Sequence, residues 1–192
     1  MSNTPRIPER CSGSIKIALY KGTGWISNAI MWISRGGYSH VAMVLNDDSI
    51  IEAWAGGVRK RKNILDQMDI NTIVDVFEIN TTPDQDIIIK DFLEKQIGKG
   101  YDYLAILGFI LHTSHQGRIQ YGRWICSELV FAAFQKIDIN LLDRVECWKV
   151  SPTILSYSTL LQHGERHIIK KSKRFRLTKH PSSIMLSAEK LN

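Results

Sequence analysis

The sequence predicts one α+β domain in which an antiparallel sheet packs against helices. Short runs that alternate polar with apolar residues crowd the stretch from Ser14 to Ile79 and are parted by turns of hairpin length. Apolar residues at helical spacing then take over from Pro83 onward, and strands followed by helices is the pattern of an α+β fold. The chain has 192 residues, 44% hydrophobic and 23% charged, which is enough for one full core and too short for two ordinary domains.

Ser14 to Tyr20 alternates and is stopped by Lys21-Gly22-Thr23-Gly24, so it reads as the first core strand. From Trp25 the residues Ile26, Ala29, Ile30, Trp32 and Ile33 recur at helical spacing, with Gly36-Gly37 as the stop. Tyr38 to Leu45 and Ser49 to Trp54 are β-rich runs joined by Asn46-Asp47-Asp48, and they should pair antiparallel. Val58 to Lys62 and Thr72 to Ile79 extend the same meander.

Thr82-Pro83-Asp84 opens a helix that runs to about Gly98, with Ile87, Ile88, Phe92, Leu93 and Ile97 on one face. Tyr101 to His112 reads as a second helix, Thr113 to Arg123 as a loop, and Trp124 to Ile137 as the helix that carries Cys126 near its start. Ser151-Pro152 begins a short helix to about Leu161, and Arg166 to Leu177 is expected as a last edge strand whose Lys and Arg discourage edge pairing. The division expected is residues 1–13 as a flexible N-terminal segment, 14–165 as the domain, and 166–192 as a basic C-terminal segment.

No apolar run approaches the roughly 18 residues of a membrane-spanning helix. The first ten residues lack the apolar stretch of a secretory signal, so the expected place is the cytoplasm. Cys11, Cys126 and Cys147 form an odd set without CxxC spacing, which suggests neither a disulfide framework nor zinc. His112 and His115 straddle a helix end with no acidic or cysteine partner, so no metal and no cofactor are assigned. The net charge of +6 is concentrated in the tail: Arg166 to Leu186 holds seven Lys or Arg and no acid. That stripe is either a solvated edge or a contact for nucleic acid or an anionic surface.

Two residues stand where a thiol hydrolase needs them. Cys126 falls in the first turn of its helix, where free amides and the helix dipole favour a thiolate and can hold an oxyanion; the bland alternative is a cysteine filling core volume. His40 opens an apolar strand and can face a groove while the strand anchors it, or it can be a core or sheet-margin histidine. Glu52 lies on the neighbouring strand, facing either solvent or the imidazole, and in the second case it would fix the tautomer. The five tryptophans read as core or groove-lining residues, with Trp54 and Trp124 near the proposed site.

Gly-Tyr-Ser-His40-Val, Ile-Glu52-Ala, Gly-Lys-Gly-Tyr101-Asp and Cys126-Ser-Glu-Leu-Val together resemble the circularly permuted branch of the NlpC-type papain-like hydrolases, the YiiX/YaeF-like amidases, over roughly Ser14 to Tyr157. Histidine precedes cysteine, as in that branch. The resemblance implies a papain-like fold with Cys126 as nucleophile, His40 as base and Glu52 as the third polar residue. It also implies Tyr101 beside the nucleophile, where its hydroxyl helps hold the substrate carbonyl; the alternative is an amphipathic tyrosine at a helix start.

The expected function is a cysteine-dependent hydrolase that cleaves an amide bond, in a peptide or an acyl-amide, through a thioester. A lipid-acting thiol acyltransferase or esterase taking an acyl-lipid substrate is the second expectation. A non-catalytic binding module that uses the basic tail is the third.

Overall fold

A computed structural model describes residues 13–103, 122–145 and 149–170. The described elements are β1 (Gly13–Lys21), α1 (Trp25–Ile33), β2 (His40–Val44), β3 (Ile50–Trp54), β4 (Gly57–Arg61), β5 (Ile73–Thr81), α2 (Pro83–Glu94), β6 (Gly100–Tyr101), β7 (Arg123–Trp124), α3 (Cys126–Gln135), α4 (Pro152–Leu155) and β8 (Gln162–Ile168). Six strands make one sheet in the order β4-β3-β2-β1-β5-β8, and every pairing in it is antiparallel. The expected α+β class, a sheet packed against helices, is the observed one. None of the described helices is long and apolar enough to cross a membrane.

Strand alternation sorts the side chains into two layers. Ile17, Leu19, Val41, Met43, Ile51 and Ala53 meet α2 and α3 through Ile89, Leu93, Leu129, Phe131 and Phe134. Phe131 and Phe134 are almost wholly buried, and burying each contributes about 3 kcal/mol. Ala18, Tyr20, Ala42, Val44 and Ile50 face the other way, under Ile64, Met68 and Ile169. His40 and Glu52 share the parity of this second layer.

Local chemistry explains the element ends. Thr82 closes a capping box: its hydroxyl accepts from Gln85 N at 3.3 Å while its own N–H donates to Gln85 Oε1 at 3.0 Å, and Pro83 follows. The stop of α1 falls one residue earlier than the expected glycine pair. Arg35 takes the left-handed conformation at φ 48°, and its N–H and that of Gly36 close back on Trp32 and Met31 carbonyls. Gly36 is needed for space, because a Cβ there would overlap the Thr153 side chain.

Several expectations are corrected. The buried face of α2 is Ile89 and Leu93, whereas Ile87, Ile88 and Ile97 are exposed. Tyr101 does not start a helix: it belongs to a parallel two-residue pairing with Trp124, so α3 begins at Cys126 and not at Trp124. The helix at Ser151-Pro152 ends at Leu155 rather than near Leu161. The last edge strand lies earlier than expected, at Gln162–Ile168 beside β5. Trp25 and Trp32 are 80% and 82% exposed rather than core. Residues 1–12 and 171–192, most of the expected 101–112 helix, nearly all of the 113–123 loop with His115, and Trp148 lie outside the described residues.

Candidate active site

His40 is the first residue of β2, paired across the sheet with Tyr20, so its imidazole lies at the rim of the sheet. Cys126 is the first residue of α3, and that helix packs on β2 and β3. The Cys126 sulfur lies close enough to the His40 ring to raise its pKa. The other side of the ring is held by Glu52, whose Oε2 lies 2.8 Å from His40 Nε2. With Nε2 committed to Glu52, Nδ1 is the ring nitrogen left for the sulfur. Cys126, His40 and Glu52 are thus brought together in the order thiol, imidazole, carboxylate.

All three are buried, Glu52 almost completely. Burial pulls the His40 pKa down, but the Cys126 sulfur and then Glu52 more than offset it and carry the value up to about 9. Two aromatic rings fix the imidazole in place. Trp54 stands edge-on to it at 4.7 Å between centroids, and Tyr20 is tilted against it at 5.4 Å. Trp54 is therefore a wall of the site, as the sequence led one to expect. Trp124 instead packs on Phe92 and donates its indole N–H to Gln96.

Sequence reasoning missed the two guanidinium groups that surround Glu52. Arg61 donates Nε to Oε1 at 2.7 Å and Nη2 to Oε2 at 3.0 Å, and Arg59 donates Nε to Oε1 at 2.9 Å. Burial opposes the charge of Glu52, but the donors from His40 and Arg61 win and hold its pKa down to about 2. The signal was present in the alternation of β4. Arg59 pairs directly with Glu52 across the sheet and Arg61 stands two residues on, so both point to Glu52's face. Arg59 also lies over the Trp54 ring, 5.2 Å from its centroid.

Tyr101 reaches the site through backbone pairing. Val58 N–H binds the Lys99 carbonyl, Gly100 N–H binds Gly122, and Asp102 N–H binds Trp124, which stitches the segment between β4 and the residues just before α3. Burial, then the neighbouring Cys126 sulfur, push the Tyr101 phenol above its ordinary range, so it remains an O–H donor. On α3, Glu128 stands in the first turn. Burial, opposed by the Ile125 backbone amide and helped by Asp102, raises Glu128 to about 7.

A separate cleft of about 520 Å³ opens at the other end of β2, between Val44, Asp47, Pro83 and Lys90, and holds none of these residues. Arg166, first of the basic tail, is committed to the fold: it grips Asp75 through Nε at 2.6 Å and Nη2 at 2.9 Å, and Tyr38 donates to the same carboxylate.

No family profile matches the chain, and no curated protein matches it. Among solved structures, the chain is similar to the crystal structure of the metalloprotein YiiX from Escherichia coli O157:H7. The TM-score is 0.57 at 16% identity, over 81% of this chain and 97% of that one. The likeness shows a YiiX-like fold.

A metal does not fit the described residues. Among the described residues no group of three or more His, Cys, Asp and Glu surrounds a common point, and both oxygens of Glu52 already accept from cationic donors.

Proposed function

We propose that the chain is a cysteine-dependent hydrolase of the permuted NlpC type, working in the cytoplasm and cleaving an amide bond, in a peptide or an acyl-amide, through a thioester. The observation that carries this reading is the alignment of Cys126 at a helix start, His40 facing it, and Glu52 on the far ring nitrogen. The likeness to YiiX in fold is compatible with it.

In the proposed cycle the Cys126 proton passes to His40 and the sulfur attacks the substrate carbonyl carbon, forming a C–S bond while the carbonyl π electrons move onto oxygen. The Cys126 backbone N–H, one of the unpaired first-turn amides, and the Tyr101 hydroxyl donate to that oxygen. The oxyanion collapses, the C–N bond breaks, and the amine leaves with the proton from His40. His40 then takes a proton from water, which attacks the thioester, and the sulfur departs and is reprotonated. Glu52 keeps the imidazole oriented and stabilises its cationic form throughout.

The test is product analysis after incubation with panels of peptides, acyl-amides and acyl-lipids, read together with the mass of the trapped enzyme. An acyl mass on Cys126 with free acid as product supports hydrolysis, and Glu52→Gln should slow that turnover while the chain stays folded. Unchanged kinetics in Glu52→Gln removes Glu52 from the machinery, and the absence of any Cys126 adduct across the panels removes the hydrolase. A second reading, transfer of an acyl group from a lipid to an acceptor other than water, is favoured by the exposed apolar helix α1, which leads into His40. Acylated acceptor in place of free acid would establish it.

A further inference from the structure

The helix α1 displays large aromatic side chains to solvent. Trp25 and Trp32 are 80% and 82% exposed, and no described side chain of the helix is buried. The sequence between Lys21 and Arg35 contains no charge at all, and both of those flanking cations are exposed.

The neighbourhood extends the same character. Thr23 Oγ1 donates to the Ile70 carbonyl at 3.3 Å, which brings Ile70, 45% exposed, beside the start of α1. Asn71 N–H binds the Ile169 carbonyl at 2.7 Å, so the end of β8, with exposed Ile168 and Lys170, arrives at this loop. The acid that approaches this face is Asp69, next to Gly24. The sequence after Lys170 runs on through Lys171, Lys173, Arg174, Arg176 and Lys179 without an acid.

We propose that α1 and the Ile70 loop dock on the surface of an anionic lipid bilayer, with Trp25 and Trp32 entering the headgroup layer and Lys21, Arg35 and Lys170 meeting lipid phosphates. Tryptophan is the side chain that favours the membrane–water boundary. A helix of nine residues binds a bilayer only marginally by its apolar face, and cations at both of its ends supply the second attraction. A protein groove would gain nothing from basic residues ringing an uncharged helix unless it were itself acidic, whereas an anionic bilayer offers both layers at once. Since α1 connects the end of β1 to Tyr38-Ser39-His40, docking sets the rim that carries His40 close to the lipid. The surface requires nothing of the thiol chemistry and stands or falls apart from it.

The experiment is flotation of the full chain with vesicles of phosphatidylcholine alone and of phosphatidylcholine with about one third phosphatidylglycerol, at low and high salt. The chain is expected to float with the anionic vesicles, less so as salt rises. The double variant Trp25→Ser/Trp32→Ser should bind about tenfold more weakly or worse while keeping the parent's thermal midpoint, because both rings are solvent-exposed. Cys126→Ala should float as the parent does; its loss of binding would overturn the proposal by making the contact an acylation event. Failure of the parent to bind anionic vesicles overturns it, as does undiminished binding by the double variant. So does an oligomer that the double variant converts to monomer without any vesicle binding, since the face would then be a contact between copies of this chain.

Discussion

Arg61 grips Glu52 at two points, Nε to Oε1 at 2.7 Å and Nη2 to Oε2 at 3.0 Å, and the two side chains are only 1% and 0% exposed. A guanidinium fork on a carboxylate fixes its plane as well as its charge, so the oxygen offered to His40 is set by Arg61. Replacing Arg61 with Leu leaves a buried carboxylate short of two donors. Thermal or denaturant unfolding of Arg61→Leu should show a loss of about 3 kcal/mol, and Arg61→Lys should recover only part of it.

The charges at the site set the pH range of stability. His40 is raised above its ordinary 6.5 to about 9, so what it contributes is fully present below 6.5 and is lost as pH rises through 9. Glu52 is lowered from 4.5 to about 2, so its contribution is present above 4.5 and is lost as pH falls through 2. Glu128, raised from 4.5 to about 7, adds a further loss as pH rises between those values. Thermal midpoints measured across the pH range should be highest in mildly acidic solution. In His40→Gln the decline near pH 9 should disappear while the decline in strong acid remains.

Tyr20 carries a buried hydroxyl and Arg61 Nη1 a buried N–H with no partner within hydrogen-bond distance among the described residues, and the nearby guanidinium only partly offsets the burial that raises the phenol. Removing such a group recovers its desolvation cost without opening a cavity. Tyr20→Phe should therefore keep or raise stability, by up to about 1 kcal/mol in a denaturant titration, since the ring that touches His40 stays.

Tyr101 is held beside Cys126 by backbone pairing rather than by its hydroxyl, so Tyr101→Phe should fold as the parent does. If the hydroxyl donates to the oxyanion, kcat on a responsive substrate falls by about tenfold or more while KM changes little.

The strands of the sheet were legible because alternation and hairpin turns are local signals, and Thr82-Pro83 marked the start of α2 through its own capping chemistry. His40, Glu52 and Cys126 were legible as residues standing at the start of, or within, apolar elements. Arg59 and Arg61 were not found, because Glu52 was read against the neighbouring His40 strand while cross-strand pairing with β4 was left unused. The α2 face was misassigned because Ile87, Ile88 and Ile89 are consecutive, so hydrophobicity alone does not say which of them points inward. Tyr101 was taken into a helix because a two-residue parallel pairing depends on Arg123 and Trp124, more than twenty positions away. Trp25 and Trp32 read as core or groove-lining residues because composition cannot tell a helix that buries its tryptophans from one that displays them.

Cys126 is proposed here as a nucleophile served by His40. An electrophilic acyl probe followed by peptide mass mapping tests it most directly, because Cys11 and Cys147 in the same chain are internal controls. Rapid labelling is expected at Cys126 over the other two, abolished in Cys126→Ala and slowed by about a hundredfold in His40→Ala. Labelling that persists unchanged in Cys126→Ala, or equal rates at all three cysteines, would contradict it.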